Sequence, residues 1–356
     1  MKRLGIVFSI CLICIINEVG LEKMVMPNLY YVAEDEEESW TNRQVATFFP
    51  ISTFQAKEEK ATEVEDELTY EMILALQAKD EERLSEDLNR TENVINEQTP
   101  VRTPVSLERL SDFNYLLSTY YTVDSTTTIG PDQLNASEML SRNMKLQNPV
   151  DGPKVLIFHT HSQEAFRDSI PGDANTSIVG MGKYLADRLN EKGIEALHHD
   201  GVYDLINGKL DRSRAYEMSE IGVKELLNQY PSIEVVIDLH RDGVNEKTHL
   251  VTAVNGKQTA KIMYFNGLSR TKANGDISYL YNPYIQDNLA FSFQMQMATE
   301  ELYPGLARRI YLKGYRYSLH MMPKSLLIEA GAQTNTVEEM KNAMDLLANV
   351  LADVLL

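Results

Sequence analysis

Three short apolar runs constrain this chain more than any other feature, because each ends abruptly on groups that bind metals or move protons. Val155–Phe158 is bounded by Gly152 and Pro153 and runs into His159, His161 and Glu164. Ile233–Leu239 runs into His240, Arg241 and Asp242, and Ser325–Ile328 runs into Glu329, Ala330 and Gly331. Apolar runs of this length between turn residues read as buried strands. In open α/β sheets ligands bind beyond the carboxyl ends of the strands, so parallel neighbours of this kind would collect histidines and carboxylates in one pocket.

The segments between these runs have the matching texture. Ile178, Val179, Met181, Leu185 and Leu189 fall close to helical spacing before Gly193, which predicts a crossover helix. A second strand is expected over Ile194–His198, a second helix over Asp211–Tyr230 before Pro231, and a further helix over Gln286–Tyr303 before Pro304 and Gly305. Leu250, Thr252 and Val254 lead to Asn255-Gly256, the strongest short hairpin signal in the chain. Thr336 and Glu339 form a capping box for a last helix with apolar positions Val337, Met340, Met344, Leu347 and Leu351. The alternation predicts an α/β fold, a mainly parallel mixed sheet covered by helices on both faces.

The chain has 356 residues, with 52 Asp and Glu against 34 Lys and Arg, a formal net charge of -18. That balance argues against a nucleic-acid partner, since phosphate binding needs a basic face. The two cysteines, Cys11 and Cys14, lie in the amino-terminal apolar run, so nothing downstream has disulfide or thiolate chemistry. In that run Lys2 and Arg3 precede Leu4–Ile16, the layout of an export signal. It is short for a membrane span, which takes about 20 residues. Asn17, Glu18 and Val19 follow in place of a small-residue cleavage pattern, so residues 1–26 are expected to be an uncleaved anchor, with a cleaved signal as the alternative, and the rest to lie outside the cytoplasm. Residues 27–150 read as an acidic, largely non-globular spacer, with Tyr115–Gln147 packing as a short extension on a catalytic domain over 151–356.

A catalytic zinc takes three protein ligands, commonly two histidines and a glutamate, and keeps one position for water. His161 and Glu164, three residues apart in a turn after a strand, supply two of them, and His240 is the best third. Asp238, Asp242 or His159 can fix the imidazole tautomer from behind. Arg241 can instead hold a substrate carboxylate. Glu329, embedded in Leu-Leu-Ile-Glu-Ala-Gly, is costly to place unless it faces a pocket or a partner such as Arg316. Beside a zinc-bound water it would act as general base and then acid, which predicts hydrolysis of an amide. His320 can line the pocket; it and His198, His199 and His249 otherwise read as structural or as supports behind the ligands.

The segments Pro153–Ala165, Val236–Asp242 and Leu326–Gly331 together resemble the stage II sporulation protein P family of endospore-forming bacteria. The likeness covers roughly residues 150–356, and the amino-terminal anchor and spacer are similar to that family's layout. The resemblance implies the fold of N-acetylmuramoyl-L-alanine amidases, which is zinc-exopeptidase-like, in a membrane-anchored zinc hydrolase of peptidoglycan. It implies cleavage between muramic acid and the stem peptide, with endopeptidase activity on cross-links also credited to the family. It further implies septal wall degradation and forespore engulfment, with the stage II sporulation D protein, a lytic transglycosylase, and the M protein as partners. His161 falls at the first-strand histidine of the amidases, His240 at the later strand histidine and Glu329 at the catalytic glutamate. Those amidases place a ligand glutamate at the start of the first helix, where Asn175–Gly182 holds no acid, so Glu164 is the substitute and His159 its rival. Two other functions suit the same residues: a non-catalytic wall-binding scaffold, and a zinc carboxypeptidase acting on stem peptides.

Overall fold

The computed structural model describes residues 106–356; the anchor expected at 1–26 and the spacer up to residue 105 lie outside the described residues. In chain order the elements are α1 (Leu107–Leu110), α2 (Phe113–Tyr120), β1 (Tyr121–Val123), α3 (Ala136–Ser141), β2 (Val155–Phe158), α4 (Ile178–Glu191) and β3 (Ala196–His198). A small hairpin β4 (Leu205–Ile206) and β5 (Lys209–Leu210) precedes α5 (Ala215–Gln229) and β6 (Val235–Asp242). Then come the hairpin β7 (Val251–Val254) and β8 (Lys257–Ala260), β9 (Ile262–Gly267), the two-residue strands β10 (Arg270–Thr271) and β11 (Gly275–Asp276), α6 (Ile285–Leu302), β12 (Ile310–Lys313), β13 (Lys324–Ala332) and α7 (Val337–Leu355).

Seven strands form one sheet in the order β1-β12-β9-β13-β6-β2-β3. All neighbours pair parallel except β9 and β13, which pair antiparallel, so the mainly parallel mixed sheet expected from the sequence is present. The three apolar runs are adjacent: β13, β6 and β2 lie side by side and point the same way. Both faces of these strands are apolar over their first halves. Val155, Ile157, Val235, Ile237, Leu239, Leu326 and Ile328 pack with α4, α6 and α7, while Leu156, Phe158 and Val236 pack with Val223 of α5.

Local sequence explains the helices that cover the first face. In α4, Ile178, Met181, Leu185 and Leu189 are fully buried, and Gly193 at φ +81 supplies the left-handed residue that ends the helix. The expected capping box opens α7: Thr336 Oγ1 accepts from the Glu339 N–H at 3.2 Å and the Glu339 carboxylate accepts from the Thr336 N–H at 3.0 Å. Met340, Met344, Leu347 and Leu351 of α7 are fully buried, each contributing roughly 1.5–3 kcal/mol of transfer free energy.

Two features complete the frame. The segment expected as a short extension enters the sheet itself, with β1 pairing β12 and Tyr120 and Tyr121 packing on Phe293 of α6, so the core draws on residues ahead of 151. The predicted hairpin turn is present, with Asn255 and Gly256 at φ 51 and 77, the left-handed pair of a type I′ turn. Among the described residues no helix is long and apolar enough to cross a membrane.

Candidate metal centre

On the face of the sheet that carries α5, the apolar positions of β6 and β13 give way to polar ones near their carboxyl ends. Val236 is followed on that face by Asp238 and His240, and Leu327 by Glu329. Glu329 and His240 are direct register partners, and both are buried. The pairing is interrupted between Glu329 and Ala332, where Gly331 adopts φ +58. Only a glycine fits there comfortably, since a Cβ would lie 2.6 Å from Met340 Sδ. The Glu-Ala-Gly sequence therefore encodes a bulge that ends ordinary pairing just past the carboxylate.

The turn after β2 is tied to β6 through one carboxylate. Asp238 accepts from Thr160 N–H at 2.9 Å and from Thr160 Oγ1 at 2.6 Å, and its Oδ1 lies 2.8 Å from His240 Nε2. That clamp brings the His161 ring edge-on to the His240 ring, centroids 5.0 Å apart. Glu164 closes the group from the same turn: Oε1 is 3.5 Å from His161 Nδ1 and 3.9 Å from His240 Nδ1, while Oε2 accepts from the Arg241 N–H at 2.8 Å. One donor atom from each of His161, Glu164 and His240 lies within 4.8 Å of the other two, and all three residues are buried.

Electrostatics set the charge of this cluster. Burial pushes the Glu164 carboxyl up, but His161 and His240 outweigh it and hold the group well below its ordinary range. Burial likewise pushes His240 down, and Asp238 and then Glu164 overcome it, raising the imidazole well above its ordinary value. A divalent cation taken by this donor set would therefore displace a proton from His240. Two imidazoles and a carboxylate gathered in one buried cluster are the donor set of a catalytic zinc, so the residues fit the metal the sequence implied.

Asp238 occupies the position behind His240 that the sequence allowed for it. His159 does not join the cluster. Its Nδ1 is 2.7 Å from the Leu239 carbonyl and its Nε2 3.0 Å from His198 Nε2, and burial lowers its pKa to about 3. The rival of Glu164 is thus turned toward α4, and the acid is the group beside the two histidines. Asp242 pairs with Arg308 at 2.7 Å, away from His240. The Arg241 guanidinium bonds the Ala165 and Asp242 carbonyls at 3.0 and 3.1 Å. His320 sits 3.0 Å from Glu220 of α5, and Arg316, the suggested partner of Glu329, reaches Glu220 as well, at 3.1 Å.

Sequence reading missed two neighbours. Arg212 reaches Glu164 Oε1 at 3.5 Å, and Tyr216 packs edge-on to His161 with centroids 5.7 Å apart. Both lie where α5 begins, in a segment with no apolar strand to flag it.

The profile of the family described as stage II sporulation protein P matches residues 35–352. The chain belongs to that family. A curated relative, the stage II sporulation protein P of Bacillus subtilis, is 24% identical over 237 residues, which are 62% of this chain and 56% of the relative. The chain thus spans little more than half of the curated family member it matches. Among solved structures, the CwlD amidase of Clostridioides difficile, solved with the GerS lipoprotein, is similar at 15% identity and a TM-score of 0.37, covering 56% of this chain and 98% of that one. An N-acetylmuramoyl-L-alanine amidase of Nostoc punctiforme is similar at 14% identity and a TM-score of 0.33, covering 58% and 96%. At such scores the superpositions carry no argument, and the site's own geometry has to.

Proposed function

We propose that this member of the family is a zinc-dependent peptidoglycan hydrolase that cleaves the amide between N-acetylmuramic acid and L-alanine, in the septal wall degradation that accompanies engulfment. One observation carries the reading: His161 and Glu164 from one turn and His240 from a distant strand gather in a buried cluster, and a fourth group, Glu329, stands in register beside His240. His161, Glu164 and His240 would hold the ion. When bound, it supplies Lewis acidity at the scissile carbonyl.

The chain's own residues do the rest. Glu329 takes a proton from the attacking water as the new carbon–oxygen bond forms, then returns it to the nitrogen as the carbon–nitrogen bond breaks. Asp238 holds His240 in one orientation through Nε2, leaving Nδ1 toward the cluster. Attachment to the membrane through residues 1–26, with the hydrolase outside the cytoplasm, belongs to the same reading and rests on the charged-then-apolar layout of that segment, while action with the D and M proteins rests on family likeness alone.

The test is release of stem peptides from purified cell wall by the full chain, with and without a chelator. The expected result is zinc-restorable release of peptides with a free amino-terminal alanine. Stoichiometric zinc without release would favour a wall-binding scaffold, and release from the carboxyl end of the stem a carboxypeptidase.

A further inference from the structure

We infer that Arg212 binds a carboxylate of the peptide substrate at the mouth of this site, with the β4–β5 hairpin as the apolar wall beside it. The inference rests on the hydrolase reading and names the substrate class that the site selects: a peptide amide with a free carboxylate close to the cleaved bond.

The hairpin is fastened to the turn that carries His161 and Glu164. Asp204 is fully buried, accepting from Ser162 Oγ at 2.7 Å and from the Gln163 N–H at 3.1 Å, and the Asp211 N–H returns to the Asp204 carbonyl at 2.9 Å. Arg212 follows at once, and its carbonyl accepts from the Ala215 N–H at the start of α5. The Arg212 backbone is therefore tied to the turn that carries Glu164, and Nη2 reaches Glu164 Oε1 from there.

Its donors are only partly used. Nη2 stands 3.5 Å from Glu164 Oε1, an ionic contact longer than a good hydrogen bond, and Glu164 Oε1 also faces both histidines. Nε is buried with no hydrogen-bond partner among the described residues. The side chain keeps 26% of its surface exposed, so one edge of the fork faces outward. Nearby arginines are committed elsewhere: Arg241 to two carbonyls, Arg308 to Asp242 and Arg316 to Glu220.

Beside this cation the hairpin exposes apolar side chains. Leu205, Ile206 and Leu210 are 40%, 38% and 60% exposed, and Val202 just before them 53%. Exposed apolar residues grouped in one short segment mark a contact surface. A wall of aliphatic groups with a guanidinium at its base suits a peptide with methyl side chains and a carboxylate.

The experiment compares two muramoyl-peptides that differ only in a free carboxylate or a carboxamide on the residue after alanine, using the full zinc-loaded chain. For the wild type, kcat/KM should favour the carboxylate about 10- to 100-fold, mostly through KM, the range expected for one charge-assisted pairing. In Arg212→Gln that ratio should fall to near one, and Arg212→Lys should restore part of it. Calorimetric binding of the two peptides to Glu329→Gln, with and without Arg212→Gln, should give the same ratios without turnover. An equal preference in the wild type, a ratio unmoved by Arg212→Gln, or loss of zinc in Arg212→Gln would each overturn the inference. If the wild type cleaves neither peptide, the hydrolase reading fails separately, and the binding ratio alone decides the role of Arg212.

Discussion

Glu329 and His240 face each other across adjacent parallel strands, register partners on β13 and β6, and their side chains rise on the same face of the sheet. Neighbouring strands lie about 4.8 Å apart, so a group held by His240 is within reach of the Glu329 carboxylate. The substitution Glu329→Gln preserves shape and removes the base. Zinc content should stay at one equivalent by elemental analysis while turnover on cell wall falls about 10²- to 10⁴-fold. Retained turnover would place the base elsewhere.

Asp238 touches both the Thr160 clamp and His240 Nε2, so its replacement separates orientation from ligation. Asp238→Asn should weaken zinc affinity about 10- to 100-fold, read by competition with a chromophoric chelator. His161→Ala, which removes a donor outright, should abolish stoichiometric zinc. Equal affinities in Asp238→Asn and wild type would show that His240 is positioned by other contacts.

The pair of buried His159 and half-buried His198 makes stability depend on pH. Burial depresses His159 to about 3 and His198 to about 4, whereas both titrate near 6.5 when unfolded. Both folded pKa values are lowered, so the unfolded state binds more protons and stability is lost as pH falls from 6.5 toward 4. Each histidine adds up to about 1.4 kcal/mol per pH unit to that slope. Thermal melts from pH 7.5 to 4 should therefore steepen below 6.5, and His198→Gln should flatten the curve. An unchanged slope in His198→Gln would remove the pair as its source.

Gly182 lies inside α4, where alanine would ordinarily add about 1 kcal/mol of helix stability. A Cβ there would overlap His159 Nε2 and lie 2.9 Å from His198 Nε2. His159 cannot retreat easily, because the Leu239 carbonyl holds its other nitrogen. Overpacking of this kind costs typically 1–3 kcal/mol, so Gly182→Ala should destabilise by about 1–2 kcal/mol in a urea melt. A more stable variant would mean that the two rings are loosely held.

Much of this architecture was legible because its causes are local. The period of Ile178, Met181, Leu185 and Leu189, the Thr336–Glu339 box and the Asn255-Gly256 turn are each fixed by residues a few positions apart, and each stands where the spacing put it. The end of β2 was legible for the same reason, but β6 and β13 run past the apolar stop, to Asp242 and Ala332, so His240 and Glu329 stand within the ladder rather than beyond it.

What the sequence could not decide depends on partners far along the chain. Whether His159 or Glu164 joins His161 turns on the Leu239 carbonyl and His198 ring, 80 and 39 residues from His159, which take both nitrogens of that imidazole. Arg212 is beside Glu164 only because Asp204 fastens its hairpin to Ser162. The reversal at β9 and the entry of β1 into the sheet likewise follow from pairing with strands that no local period names. Sequence determined the strands that carry the cluster, most of the helices and the kinds of side chain offered there; only packing across the sheet chose which side chains meet, since rotamer and hydrogen-bond partner are set by neighbours in space.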